Sequence, residues 1–388
     1  MKKIFFLFSA LVFCTALFAQ SQLTPQQAEE AGIQPEHTTI QDAGLIPDMP
    51  ATNKAAVSRD DLQGDYLAVI SMPTNNKRVV LLDIFDGSVV IDNFIDLQAT
   101  AAGTPKDVIQ VGDEIWVCDQ IGDRIDRFDM TGGHLGVIGA AGGLDNVRGM
   151  GIIGDEVWLS NAGTANGAPG NATIRISFDG EILGHFLVDG SPWDYIVYNG
   201  EALLSFSAAG GYLSRIERYD FNGNALGSWN TPGELNFIQQ IAIMDNDHIL
   251  AAGFSTPAGV YEYDTQGTLV GMIPGTNSGP RGCYQLGNGN ILWTNSNGIN
   301  IVDINTGVNT VAVPGNAQLC DKITFGFELL PGDANGDGTV DALDIITIAS
   351  YVMGLDPQPF IFDNADVNQD GVINLLDVIA TANIILVK

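Results

Sequence analysis

Five stretches between residues 105 and 313 repeat one pattern at a spacing of about 40–45 residues. The first, "PKDVIQVGDEIWVCDQIGDRIDRFDMTGGHLGVIG" (105–139), alternates short β-branched and aromatic runs with Gly/Asp turns. The others open with "RGMGIIGDEVWLSNAG" (148–163), "WDYIVYNGEALLSFS" (193–207), "QQIAIMDNDHILAAG" (239–253) and "RGCYQLGNGNILWTN" (281–295). Each unit holds four strand-length runs separated by turn residues, enough for one antiparallel sheet. Such a unit cannot bury its apolar faces alone, so successive units must pack against one another.

Four-stranded units in series predict the blades of a β-propeller. Residues 65–94 supply three more strands and lack the innermost one, while "KITFGFEL" (322–329) supplies a strand with no sheet of its own. Joining the two gives six blades and covers an edge that would otherwise pair with other chains. The expected layout is a leader at 1–19, a polar arm at 20–60, a propeller at 61–330 and a separate C-terminal domain at 331–388. The arm has no strand alternation. The blade sequence "EIWVCDQIGDRIDRFDMTGG" resembles the NHL-type propeller repeat through Asp119, Arg124, Ile125, Phe128 and Asp129, with Asp123 where asparagine is usual.

"MKKIFFLFSALVFCTALFAQ" places two lysines before an apolar run and small residues near Ala19. It reads as a secretory signal peptide, too short to span a membrane, and no later segment is long and apolar enough to do so. The expected location is therefore secreted, or at a cell surface through a scaffold. The formal charge of −30 disfavours nucleic acid and anionic lipid as partners. Beyond the leader, Cys118, Cys283 and Cys320 are odd in number and show no CxxC spacing. A disulfide framework and a zinc ribbon are excluded, and buried free thiols are expected.

First-strand starts lie near the mouth of a propeller's central channel. Here they carry Lys106, Asp107, Arg148, Trp193, Asp194, Gln239, Gln240, Arg281, Asp321 and Lys322. Asp107, Arg148, Trp193, Asp194, Gln240, Arg281 and Asp321 form the candidate ligand site, with Trp193 placed to stack on a sugar ring or another flat ligand. An anionic or carbohydrate ligand is one reading; a polar cap on an inert channel is the other. No catalytic residues are identified, since no GxSxG nucleophile occurs in a strand–turn–helix context. Whether the propeller is an enzyme stays open, with a binding module preferred to a hydrolase or lyase acting on a carbohydrate or lactone.

"GDANGDGTVDALD" (332–344) crowds carboxylates that repel one another unless a cation joins them. Numbered from Asp333, oxygen ligands fall at positions one (Asp333), three (Asn335), five (Asp337), nine (Asp341) and twelve (Asp344), with the Thr339 carbonyl at seven and Gly338 at six. These are the ligand positions of an EF-hand calcium loop. The register recurs at Asp366, Asn368, Asp370, Gly371, Val372, Asn374 and Asp377. Two calcium ions are expected. Each loop is followed by one apolar helical run and has aspartate at position twelve. This pairing resembles the type I dockerin module, the first repeat fitting through Tyr351 and Gly354. The resemblance implies calcium binding and docking onto a cohesin-type scaffold domain, often in carbohydrate-degrading assemblies. It puts the partner-binding residues at Ala342, Leu343, Leu375 and Leu376, with Thr347, Tyr351, Thr381 and Asn383 along the helices. The expected fold class is thus mainly β: a six-bladed β-propeller with a small all-α, EF-hand-like dockerin domain.

Overall fold

The computed structural model describes residues 57–59, 62–139, 141–208, 214–230, 235–326, 330–336, 339–355, 357, 360–368 and 371–387; the leader and most of the polar arm lie outside the described residues. The chain divides into two compact units, with the division falling between Thr324 and Phe325.

The first unit is built on six four-stranded antiparallel sheets. From blade one to blade six, the innermost strands are Ala317–Phe325, Pro105–Val111, Val147–Ile153, Gly190–Tyr198, Asn236–Ile243 and Cys283–Gln285. In blade one that strand lies beside Gly64–Ser71, followed by Arg78–Asp83 and Val89–Asp96, so both ends of the unit share one sheet. The closing strand begins at Ala317, five residues earlier than the sequence pattern suggests, because "VPGNAQLC" shows no alternation. Residues 327–329 of the expected strand lie outside the described residues.

The recurrent Asp-x-x-Gly stretch is the turn between third and fourth strands. In blade four, Asp220 accepts hydrogen bonds from the backbone N–H groups of Asn222 and Asn224, and Gly223 takes φ +86°. A Cβ on Gly223 would lie 2.7 Å from Phe186 of the preceding blade, and one on Gly267 would lie 2.3 Å from Trp229. The glycine therefore supplies both the left-handed turn and a close inter-blade contact.

A second inter-blade device uses the small polar residue near the end of the second strand. Ser160 Oγ accepts from Gly149 N–H in its own blade and donates to the Trp193 carbonyl of the next at 2.6 Å. Ser205 does the same between Asp194 N–H and the Gln239 carbonyl, and Thr294 between Gly282 N–H and the Gln318 carbonyl. Cys118 takes this place in blade two, its thiol donating to the Arg148 carbonyl. All four are buried, and each hands a hydrogen bond to a main-chain carbonyl of the following blade.

The second unit has helices α1 (Ala342–Val352), α2 (Phe362–Ala365) and α3 (Leu375–Val387). Its small core is Ala334, Ile348, Ala365 and Ile373, flanked by Phe360 and Val378. Among the described residues, no helix is long and apolar enough to cross a membrane.

Candidate functional site

The candidate mouth residues separate into two levels along the channel. Asp107, Asp194, Gln240 and Asp321 line one cavity of about 260 Å³, together with apolar walls that include Ile109, Met150, Tyr195 and Tyr284. Arg148, Trp193 and Arg281 lie outside that lining and are almost fully buried. Trp193 has no exposed surface: the Arg148 guanidinium sits 4.2 Å above its ring, and Phe237 meets it edge-on at 5.0 Å. That covering leaves no face for a sugar to stack on. The split has a local cause. Register shifts between Pro105 and Asp107, Val147 and Met150, Pro192 and Asp194, and Ile238 and Ile241 send neighbouring side chains to different levels.

The cavity-lining carboxylates also hold blades together. Asp107 accepts from its neighbour Val108 N–H and from Met150 N–H of the next blade at 2.8 Å. Asp194 accepts from Ile241 N–H at 3.0 Å, and Gln240 from Cys283 N–H at 3.1 Å. Burial pushes the Asp107 carboxyl up to about 7; the Met150 N–H works against this, and the charge of Asp321 adds to it. Burial raises Asp194 well above the ordinary carboxylate range, and takes Asp321 up to about 6. The cavity thus offers carboxyl groups that retain protons near neutrality. Cys118, Cys283 and Cys320 are buried free thiols.

In the second unit the two loops repeat each other at an interval of 33 residues. Asp344 accepts from Asn335 N–H and Asp341 N–H, and Asp377 from Asn368 N–H and Asn374 N–H. The position-twelve carboxylates are fully buried, and Asp333 and Asp366 nearly so. Buried carboxylates concentrated around each loop fit a divalent cation, since charge taken out of water needs an opposite charge. Gly371 takes φ +79° at position six, the sharp turn that a calcium loop requires. Asp341 and Asn374 serve as helix N-caps, accepting from Leu343 N–H and Leu376 N–H. At position nine, where ligation often runs through water, they would reach an ion indirectly. Asp337 and Asp370 lie outside the described residues.

The helix faces beside the loops are apolar and open. Leu343, Ile346, Leu375, Leu376 and Ile379 are each at least half exposed, and Ala342 and Asn383 are exposed. Ile346 and Ile379 were not singled out from the sequence; both lie two residues after a position-twelve aspartate. Thr347 is half-buried, and Tyr351 stacks on Phe360 at 4.4 Å. Thr381, placed on the docking face by the sequence pattern, is instead fully buried; its methyl group lies 3.4 Å from where a Cβ on Gly332 would stand. It packs the domain interior and is unavailable to a partner.

A six-bladed propeller followed by two repeated acidic loops, each leading into a helix, defines the class of protein. The smaller unit can be named more closely: residues 331–386 match the dockerin type I domain, so the chain carries a dockerin. Type I dockerins bind calcium and support docking onto cohesins. No curated protein matches the chain. Among solved structures, a nidogen/laminin complex aligns at TM-score 0.52 and 12% identity over 67% of this chain and 98% of that one, which shows the propeller fold alone. A protein of unknown function from Bacteroides caccae aligns at TM-score 0.47 and 14% identity, covering 67% of this chain and 99% of its own. Virginiamycin B lyase from Staphylococcus aureus aligns at TM-score 0.45 and 16% identity, covering 64% and 83%.

Proposed function

We propose that the chain is exported and acts as a binding propeller, which its dockerin delivers to a cohesin scaffold in an extracellular polysaccharide-degrading assembly. The observation that carries this reading is the apolar face repeated beside the two loops, with Leu343 and Ile346 in one repeat and Leu376 and Ile379 in the other. Exposed apolar groups in such numbers on so small a domain mark an interaction surface. Each loop holds one calcium ion, which removes carboxylate repulsion and fixes the helix that presents this face.

The propeller contributes the cavity at Asp107, Asp194, Gln240 and Asp321. Its carboxyl groups favour a hydroxyl-rich or cationic ligand over an anionic one. One observation favours an enzymatic alternative: a carboxyl group that titrates near neutrality beside a cavity, as Asp107 does, suits general acid–base chemistry in a hydrolase or lyase.

Calcium-dependent binding to cohesins, measured by calorimetry with the full chain, tests the docking. No binding to any cohesin, with calcium bound and the helices formed, would overturn it. A screen of glycans and lactones separates binder from enzyme: turnover abolished by Asp107→Asn favours the enzyme, and binding without turnover favours the module.

A further inference from the structure

A second cleft, of about 150 Å³, opens between blade four and the turn joining the third and fourth strands of blade five. It shares no lining residue with the channel cavity. Glu201, Arg218 and Trp229 line it from blade four, Thr265 and Gln266 from blade five. Trp229 is half-buried, meets Tyr198 edge-on at 5.8 Å and packs against Gly267. Tyr198 is itself fixed, its hydroxyl donating to the Asp247 carbonyl at 2.7 Å.

Comparison between blades shows what sets this cleft apart. Blades two, three and four share an ion pair between the start of the second strand and the third strand: Glu114 with Arg127, Glu156 with Arg175 and Glu201 with Arg218. In each, both carboxylate oxygens accept from the guanidinium at 2.5–2.7 Å. In blades two and three the second-strand residue opposite the arginine is a fully buried tryptophan, Trp116 or Trp158. Trp116 also donates its indole N–H to Glu114 at 2.8 Å. Blade four has Leu203 at that place, and a leucine has no N–H to give Glu201. Its tryptophan stands instead on the outer strand, where Trp229 opposes Ile216 as Ile138 opposes Ile125 in blade two.

The exchange leaves an ion pair and an indole side by side in an open cleft. A carboxylate accepts up to about four hydrogen bonds and a guanidinium donates about five. Glu201 and Arg218 use only two of these on each other. An acceptor and a donor therefore remain adjacent, with charges that cancel, beside an apolar wall. A matching ligand is neutral, carries neighbouring groups that both donate and accept, and has one apolar side. We propose that the cleft binds one ring of a neutral sugar chain: adjacent hydroxyls donate to Glu201 and accept from Arg218, while the ring's C–H groups pack on Trp229. The volume is well below the roughly 300–1,000 Å³ of a pocket for a drug-sized ligand, so a single ring enters and the rest of the chain stays outside.

The other four tryptophans, Trp116, Trp158, Trp193 and Trp293, are at most 2% exposed, so acrylamide quenching in the full, calcium-loaded chain reads Trp229. Cellotetraose, xylotetraose and mannotetraose are titrated in turn, with tetragalacturonate as the charged comparison. The expected result is saturable protection of Trp229 by at least one neutral tetramer and none by tetragalacturonate. In calorimetry, Glu201→Gln keeps the side chain's shape and should weaken that binding about tenfold, the scale of one hydrogen bond to a charged group. A neutral tetramer that binds in calorimetry without changing the quenching would sit elsewhere on the propeller. That would overturn the inference and leave the binding-module reading standing. Absence of binding by all three neutral tetramers, preference for tetragalacturonate, or full affinity in Glu201→Gln would overturn it as well. The wild-type quenching decides the matter even where the variant fails to fold.

Discussion

Thr324 donates its hydroxyl to the Asp65 carboxylate at 2.6 Å, joining two residues 259 positions apart within blade one. Lys322 Nζ lies 3.1 Å from the other Asp65 oxygen. Asp65 therefore clasps the closing strand from its partner strand. We expect Asp65→Ala to lower propeller stability by about 1 kcal/mol, the scale of one charge-assisted hydrogen bond plus an exposed ion pair. Truncation after Asn316 removes the whole closing strand and should yield an aggregating protein, since Gly64–Ser71 becomes an edge. A soluble truncation that melts normally would refute closure by the two ends.

The hydroxyl bridges predict an asymmetric mutation series. Ser205→Ala removes a buried group that satisfies Asp194 N–H on one side and the Gln239 carbonyl on the other, and should cost about 2–3 kcal/mol in urea unfolding. Cys118→Ser keeps a donor of similar size and should cost less than about 1 kcal/mol. Equal costs for the two substitutions would show that volume, and not bridging, sets the effect.

The repeat made most of the fold legible, because turn glycines and alternating apolar runs are local features that survive divergence between blades. The dockerin was legible for a similar reason: its two acidic loops repeat oxygen-bearing residues at one fixed spacing. The bridge position was visible in the aligned "WVCD", "WLSN", "LLSF" and "LWTN", yet a small polar residue in a strand carries no sign of which neighbouring blade it serves. Trp193 was misjudged as a stacking platform for another reason: a bulge between Pro192 and Asp194 decides its level in the channel, and bulges leave no mark in hydrophobic periodicity.

Acid in the channel should make the propeller more stable below neutrality. An aspartate in the unfolded chain titrates near 3.9, while burial holds Asp107 at about 7 and Asp321 at about 6 in the folded protein. Between those values the folded state binds more protons than the unfolded state. Their contribution is therefore fully present below about 4 and is lost as pH rises through 6 to 7. Tryptophan-monitored unfolding at saturating calcium should show stability falling across that window. Asp107→Asn keeps an acceptor for Met150 N–H and cannot ionise, so it should flatten the slope. An unchanged slope in that variant would assign the pH dependence elsewhere.

Calcium should decide whether the dockerin is folded. Its core contains only Ala334, Ile348, Ala365 and Ile373 with two flanking side chains, too little to hold four buried aspartates together uncompensated. Chelation should reduce helical circular dichroism while tryptophan fluorescence stays constant. Asp344→Ala and Asp377→Ala should each weaken one calcium site by roughly tenfold or more, because each carboxylate also orders its own loop through two backbone N–H groups. Identical spectra in chelator and in calcium would contradict this coupling.

Docking should use either repeat, one cohesin at a time. The interval of 33 residues maps Asp341 onto Asn374 and Asp344 onto Asp377, and the paired residues make the same caps and loop bonds. It maps Leu343 onto Leu376, 56% and 59% exposed, and Ile346 onto Ile379, 60% and 50% exposed. Rotating the domain to exchange its helices would then present a near-copy of the first face. The core lies elsewhere, so these side chains are free for a partner, and an apolar contact centre follows. Leu343→Asp and Leu376→Asp are both surface changes and should leave the helices intact. Each alone should reduce cohesin affinity no more than a few fold, since the other repeat still docks, and the double variant should lose binding. Abolition by either single substitution, with unchanged circular dichroism, would establish one fixed docking face in place of two.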